Sequence, residues 1–277
     1  SSHYLAEPDV WAWRMWDLAA LAGWKLGKKD KARDCSRKAL LGNPSDARLA
    51  RNVKEMGEPT IVKPKAPVQK AGKPRFAIYC AHSTEYKALA DVTVYQVMRQ
   101  YCDLHGYDLI SRDTANQPFN PWTRWKDLRQ FIGQYDWVWL LGADCIITNF
   151  NKRIEDFVDD NFHFIGGLER VGINADSLFF RNSPEGLKWF DFIIGQEASY
   201  SKAIFAEQSA INDWRHIYEW PQYVKAVPQR ELNSFPESFP GFPAWERGDW
   251  VCHLYGRTME RRLAQLPGVL DQIEGRP

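Results

Sequence analysis

The chain has 277 residues, 44% hydrophobic and 26% charged, enough for one large domain or a domain with an appendage and unlike a disordered or fibrous chain. No apolar run is long enough to span a bilayer, and no secretory leader is read at the start. A net charge of +1 hides an asymmetry: residues 25–75 carry fifteen Lys or Arg against five Asp or Glu, a local +10 that leaves −9 elsewhere. Such a basic arm suits an anionic partner, or else serves as a solvated, solubilising linker. Five cysteines (Cys35, Cys80, Cys102, Cys145, Cys252) are scattered and form no C-x-x-C pair, which argues against a zinc knuckle, a redox motif or a disulfide framework. A reducing, cytoplasmic setting fits this usage. The thirteen tryptophans point to aromatic surfaces of the kind that line sugar or base sites.

In chain order, residues 1–58 read as helix. Val10, Trp13, Trp16, Ala20 and Trp24 recur at helical spacing, a second helix runs from about Asp30 to Leu41, and a third starts near Arg48. The placement of Trp16, Gly27, Ala32, Ala39 and Pro44 resembles one tetratricopeptide repeat, whose small residues let paired helices pack closely. Residues 59–74 (PTIVKPKAPVQKAGKP) hold four prolines and four lysines and read as an extended linker, so the domain boundary belongs there.

From Arg75 to the end, strand and helix alternate. Phe76–Cys80, Tyr107–Ile110, Trp137–Leu141, Phe162–Gly166 and Leu178–Phe180 read as strands. Ala88–Leu104, Trp125–Ile132, Glu185–Ile194 and Phe205–Trp214 read as helices. This alternation predicts an α/β domain with a mostly parallel central sheet, whose ligands bind beyond the carboxyl ends of the strands.

Four places carry chemistry. Asp144, in Gly142-Ala143-Asp144-Cys145, follows the most hydrophobic strand and is placed either to bind a hard divalent cation or to cap a turn. His253, between apolar neighbours on a short strand, is a ligand from across the cleft or a satisfied core histidine. Asn174-Ala175-Asp176-Ser177 sits just before a strand, and Glu207-Gln208-Ser209 lies at a helix. Nucleophile-elbow, P-loop, H-E-x-x-H and G-x-G-x-x-G patterns are all missing.

Taken in order, these segments resemble one family. Trp125-Lys126, then Tyr135-Asp136-Trp137-Val138-Trp139-Leu140-Leu141-Gly142-Ala143-Asp144 and Asn149 look like the centre of the fungal galactosyl- and mannosyltransferases that include plant xyloglucan xylosyltransferases. Ile173–Ser183, Glu207-Gln208-Ser209-Ala210, Val227-Pro228-Gln229, Leu232-Asn233-Ser234 and the closing Gly248-Asp249-Trp250-Val251-Cys252-His253-Leu254-Tyr255-Gly256 follow in the family's order, covering roughly residues 75–260.

The resemblance implies a GT-A fold, a nucleotide-binding α/β sandwich that uses a divalent metal, usually Mn²⁺ or else Mg²⁺, to hold a nucleotide-sugar diphosphate, and it implies transfer with retention. By position, Asp144 and His253 would be the metal ligands. Gln208, Glu207 and Asp176 would be the catalytic group near the anomeric carbon. Asn174, Ala81, His82, Lys126 and Arg257 (or Arg261) would line the donor side, a guanidinium matching two phosphate oxygens at once. Two positions depart from the pattern: Gly142 replaces the first acid of Asp-x-Asp, and Asp176 stands where the family often has Gly. The expected function is therefore metal-dependent transfer of a sugar, favouring UDP-sugars, to a hydroxyl acceptor on a glycan or small molecule. The basic 25–75 arm opens a second acceptor, hydroxymethylpyrimidines in DNA, and loss of the first acid opens a third reading, a non-catalytic binding module.

Overall fold

The computed structural model describes residues 8–43, 45–57, 74–114, 120–214, 224–256 and 258–277. The chain divides into two compact units, Ser1–Pro64 and Lys65–Pro277. The expected linker at 59–74 lies, but for Pro74, outside the described residues.

The first unit contains helices α1 (Pro8–Lys25), α2 (Lys29–Gly42) and α3 (Ala47–Met56). Gly27, at φ 74°, takes the left-handed conformation that ends α1 and turns the chain into α2. Small residues set the approach of the two helices: Ala20, Ala32 and Ala39 are fully buried, and a Cβ on Gly23 would touch Ala32 Cβ at 3.4 Å. Asp46 caps α3 by accepting from the amides of Arg48 and Leu49. Arg48 then grips both oxygens of Asp17 at 3.0 and 2.8 Å, tying α3 to α1.

The second unit is built on a six-stranded sheet in the order β2-β1-β3-β6-β5-β7. Its strands are β1 (Phe76–His82), β2 (Asp108–Asp113), β3 (Trp137–Leu141), β5 (Phe164–Glu169), β6 (Gly172–Arg181) and β7 (Val224–Pro228). Neighbours pair in parallel except across β6, which runs against both β3 and β5. A separate antiparallel ribbon joins β4 (Cys145–Ile147) to β8 (Val251–His253).

Period-two alternation fills both faces of the sheet. On β3, Trp137, Trp139 and Leu141 enter one hydrophobic cluster while Val138 and Leu140 enter the other. A strand buried on both sides must be apolar throughout, which is why Trp137–Leu141 reads as a continuous hydrophobic run. On the first face, Trp139 packs against Phe179 and Trp250, each with ring centroids 4.7 Å away. That face is covered by the helical path of α4 (Lys87–Val92), a π-helical segment at Thr93–Met98 and α5 (Arg99–His105).

The opposite face is covered by α6 (Pro121–Phe131), which contributes Trp122, Trp125 and Leu128, and by a later helix, Pro184–Ile194, which contributes Phe190 and Ile193. The start of α6 is fixed by Pro121 in its first turn and by Asn120, whose side-chain oxygen accepts from Trp122 N at 2.9 Å. Replacing Asn120 by Ala removes that cap and is expected to cost about 1 kcal/mol, read as a lower urea midpoint at unchanged slope.

Two sequence expectations shift. The strand expected at Phe162–Gly166 is β5 and begins at Phe164. Asn174–Ser177 lies inside β6 rather than before it, because β6 extends over ten residues to meet β5 across a tight turn at Gly172, φ 112°. The β5–β6 register slips between Gly166 and Leu168, so that Asn174–Ser177 form a bulge in β6 opposite Gly167.

Candidate functional site

The carboxyl ends of β1 and β3 open onto a cleft of about 490 Å³. Because β6 is reversed, its amino-terminal half arrives at the same end, and Gly142 N donates to Asp176 O at 2.8 Å. The cleft is lined from these strands by Ala81, His82, Gly142, Asp144, Asn174 and Asp176. The helix α7 (Ala206–Trp214) adds Glu207 and Gln208 to the wall. One wall residue is strained: Ala206 sits at φ 40°, a left-handed conformation that costs a non-glycine residue about 1–2 kcal/mol.

The turn carrying Asp144 is held from beneath. The π-helical segment starts with Thr93, whose hydroxyl donates to Ala143 O at 2.6 Å and to Leu89 O at 3.1 Å. Such wide turns recur at functional sites. In the β4–β8 ribbon Cys145 pairs with His253, which sets His253 beside Asp144. His253 Nε2 lies 3.4 Å from Asp144 Oδ1 and 3.9 Å from Asp176 Oδ2.

His253 is fully buried, and its two nitrogens differ. Nδ1 faces Asn233 Oδ1 at 2.6 Å; that oxygen only accepts, so Nδ1 carries hydrogen. Nε2 is buried with no hydrogen bond of good geometry and points to the two carboxylates. A neutral imidazole in this tautomer presents the Nε2 lone pair, the form a metal ligand needs. Burial works to lower the His253 pKa, but Cys145 and the Asp144 carboxylate raise it well above the usual histidine value, so the ring without an ion carries a proton on Nε2 against Asp144, and a bound cation would take that proton's place. Burial likewise works to raise Asp144, yet His253 and Arg262 hold its carboxyl down at about 2. Asp144 thus stays charged under all ordinary conditions. The donor set therefore fits a divalent cation: a buried carboxylate, an orphaned imidazole nitrogen and an adjacent carboxylate. Asp144, Cys145 and His253 also offer ligand atoms all within 4.8 Å of one another. Burial pushes the Cys145 thiol up to about 11, however, and a protonated thiol is a poor ligand.

Two arginines complete the electrostatics. Arg262 reaches Asp144 Oδ2 at 3.1 Å while donating to Tyr86 OH and Leu254 O. Arg124, buried on α6, bonds Asp176 Oδ1 at 2.5 Å, Glu207 Oε1 at 2.6 Å and Ala175 O at 3.1 Å. Burial lifts the Glu207 carboxyl above its ordinary value, and Arg124 opposes that shift. The Gln208 side chain is fully engaged: Oε1 accepts from Ala175 N at 2.9 Å and Nε2 donates to Glu169 Oε1 at 3.0 Å. Asn174 joins the same carboxylate at 2.9 Å and accepts from Asp176 N at 2.8 Å, so Glu169, Asn174 and Gln208 lock β6 to the cleft wall.

Of the residues singled out in the sequence, Asp144, His253, Asp176, Asn174, Glu207, Gln208, Ala81 and His82 are brought together. His82 lines the cleft, and its Nε2 meets Tyr95 OH at 2.9 Å. Lys126 is not brought there. It lies two residues past Arg124, roughly 200° round the helix, and pairs with Glu197 on the exposed face. Arg257 lies outside the described residues, and Arg261 points away to Glu237. Among the described residues no tryptophan lines the cleft, and Trp122, Trp125, Trp139 and Trp250 are among the most deeply buried side chains of the core.

Arg124, Arg262 and Glu169 were not singled out. Arg124, buried, shares a stripe with Leu128, and Arg262, half-buried, lines up with the buried Leu266 and Val269, so each is an arginine on the apolar stripe of its helix, a signal the periodicity contains. Glu169 follows a strand by its pattern and had no comparable mark.

No protein-family model matches the chain. An uncharacterized alpha-1,2-galactosyltransferase of Schizosaccharomyces pombe is 24% identical over 220 residues, 62% of this chain and 58% of the relative. A probable alpha-1,2-galactosyltransferase of the same yeast is 24% identical over 194 residues, 52% and 54% of the two chains. The chain thus spans a little over half the length of the curated relatives it matches. Among solved structures, a glycosyltransferase involved in the glycosylation of the major capsid of PBCV-1 superposes with a TM-score of 0.57 at 18% identity, covering 70% of this chain and 100% of that one. The α/β fold with its mostly parallel sheet is of the GT-A type, as the sequence led us to expect.

Proposed function

We propose that the Lys65–Pro277 unit is a metal-dependent, retaining glycosyltransferase that moves a sugar, galactose foremost, from a UDP-sugar to a hydroxyl on a glycan acceptor. The observation that carries this reading is the pairing of Asp144 with the Nε2 atom of His253 at the foot of a cleft beyond the strand ends of a GT-A sheet. The relatives' names supply the choice of galactose.

Asp144 and His253 would hold Mn²⁺ or Mg²⁺, which when bound neutralises charge building on the departing diphosphate. Arg262 stands beside Asp144 and presents a fork that suits phosphate oxygens. Gln208, Asn174 and Glu169 keep the wall at the sugar's end rigid, so the anomeric carbon is held in one orientation. In the transfer itself the bond from the anomeric carbon to the diphosphate oxygen breaks, a bond to the acceptor oxygen forms, and the acceptor proton passes to the released diphosphate. Ile204, Phe205 and Tyr255, exposed apolar side chains on the cleft rim, suit the apolar face of an acceptor sugar. The helical unit, read as a tetratricopeptide-like repeat, would then serve as a protein-contact module beside the enzyme.

Calorimetric titration with UDP tests the donor assignment. UDP should bind in the presence of Mn²⁺, with affinity reduced tenfold or more when the metal is chelated. Equal affinity with and without the metal would overturn the metal's place in the donor site.

A further inference from the structure

We propose that Asp176 supplies the carboxylate that Gly142 lacks, so that the cation site of this chain is Asp144, Asp176 and His253, with one acid relocated from the end of β3 to the facing strand β6. The proposal rests on the metal-dependent reading above and adds a ligand to it.

Three observations on the structure lead there. The first is that positions 142 and 176 compete for one space. A Cβ built on Gly142 would lie 3.2 Å from Asp176 Cβ, 3.3 Å from Asp176 Oδ1 and 3.0 Å from Asp144 Oδ1. Contacts this close are tighter than ordinary packing, so a side chain at 142 would crowd the present Asp144 and Asp176 carboxylates and push them aside by a few tenths of an ångström. The glycine at one position and the carboxylate at the other form a matched pair.

Geometry at the bulge supplies the second observation. Ala175 and Leu178 both enter the same hydrophobic cluster although they are three residues apart, whereas strict alternation would place them on opposite faces. The slipped register accounts for this, inserting extra chain within Asn174–Ser177. Ser177 is drawn inward, its hydroxyl accepting from Trp139 Nε1 at 3.1 Å. Asp176 is left facing the cleft, with 29% of its side chain accessible.

The third observation is how the carboxylate is shared. Arg124 holds Oδ1, and the other oxygen, Oδ2, faces His253 Nε2 at 3.9 Å, opposite the 3.4 Å approach of Asp144 Oδ1. Ligands at neighbouring positions around an octahedral cation stand about 3 Å apart, so closing on an ion asks for small side-chain movements. Two carboxylates and a neutral imidazole also match the charge of a divalent ion better than Asp144 and His253 alone. Cys145 is the other candidate third ligand, but its Sγ already faces Asp176 O at 3.7 Å, and a hard cation prefers oxygen.

The test is Mn²⁺ binding to the purified full chain, followed by electron paramagnetic resonance of free Mn²⁺ without any nucleotide or sugar. D176N should weaken binding tenfold or more, as should D144N. C145S should bind like the unaltered chain. The exchange variant G142D/D176G should recover most of the affinity lost in D176N, and this recovery also shows that the variants fold. If D144N loses Mn²⁺ but D176N and the exchange variant bind as tightly as the unaltered chain, the relocated acid is wrong while the metal reading stands. If C145S loses Mn²⁺ as D144N does, the third ligand is the thiol and the proposal falls. Absence of Mn²⁺ binding by the unaltered chain overturns the proposal together with the reading beneath it.

Discussion

Replacing Arg124 by Met is expected to destabilise the Lys65–Pro277 unit by about 3–5 kcal/mol, the usual cost of stripping the partner from a buried charge. The guanidinium is 7% exposed and stands between Asp176 and Glu207, at 2.5 and 2.6 Å. Without it, Glu207 is a buried carboxylate with its principal cation gone, and Ala175 O loses a donor. For a unit of this size the loss corresponds to a fall of roughly ten degrees in Tm, measured by near-ultraviolet circular dichroism of the core tryptophans. A lysine at 124 should rescue only part of this, since an ammonium cannot span both carboxylates and the carbonyl as the planar fork does. Adding E207Q to the Met variant should return part of the stability, because it removes the charge left unpaired; simple additivity of the two changes would contradict the pairing.

The second large effect falls on turnover. Asp144→Asn keeps the shape of the side chain and removes the charge facing His253 and Arg262. Several kcal/mol of transition-state stabilisation depend on the cation held there, so kcat/KM for a UDP-sugar should fall about a thousandfold. The comparison is made at saturating Mn²⁺, with folding checked by the Tm. Turnover equal to that of the unaltered chain would remove Asp144 from the metal site.

Much of this molecule is written in its sequence, and the reasons differ from element to element. Trp137–Leu141 was legible as a central strand because burial on both faces demands an apolar side chain at every position. Asp144 was legible because a carboxylate directly after such a run sits at a sheet's ligand-binding end. The Glu207-Gln208 pair, too, falls where the pattern of residues put it, at the start of a helix beside the cleft. The bulge in β6 was not legible. It depends on pairing between β5 and β6, a non-local register that no window of sequence contains, and it decides where Asp176 points. Lys126 and Arg261 were chosen over Arg124 and Arg262 by a similar failure: neighbouring basic residues on a helix look alike in sequence, and only the phase of the apolar stripe separates the exposed one from the one that lies on it. Tryptophan count misled in another way, since large rings fill a two-faced core as readily as they line a sugar site.

The most direct test of the central claim is nucleotide release from a panel of nucleotide-sugars, with Mn²⁺ or with chelator, and with oligosaccharide or hydroxymethylcytosine-containing duplex DNA as acceptor. The account predicts Mn²⁺-dependent release of UDP from a UDP-sugar, UDP-galactose foremost, stimulated by the oligosaccharide and lost in Asp144→Asn. Stimulation by the DNA alone would keep the chemistry and overturn the acceptor. No release from any donor, in a folded protein with Mn²⁺ present, would contradict the assignment of this cleft to glycosyl transfer and leave it a binding site.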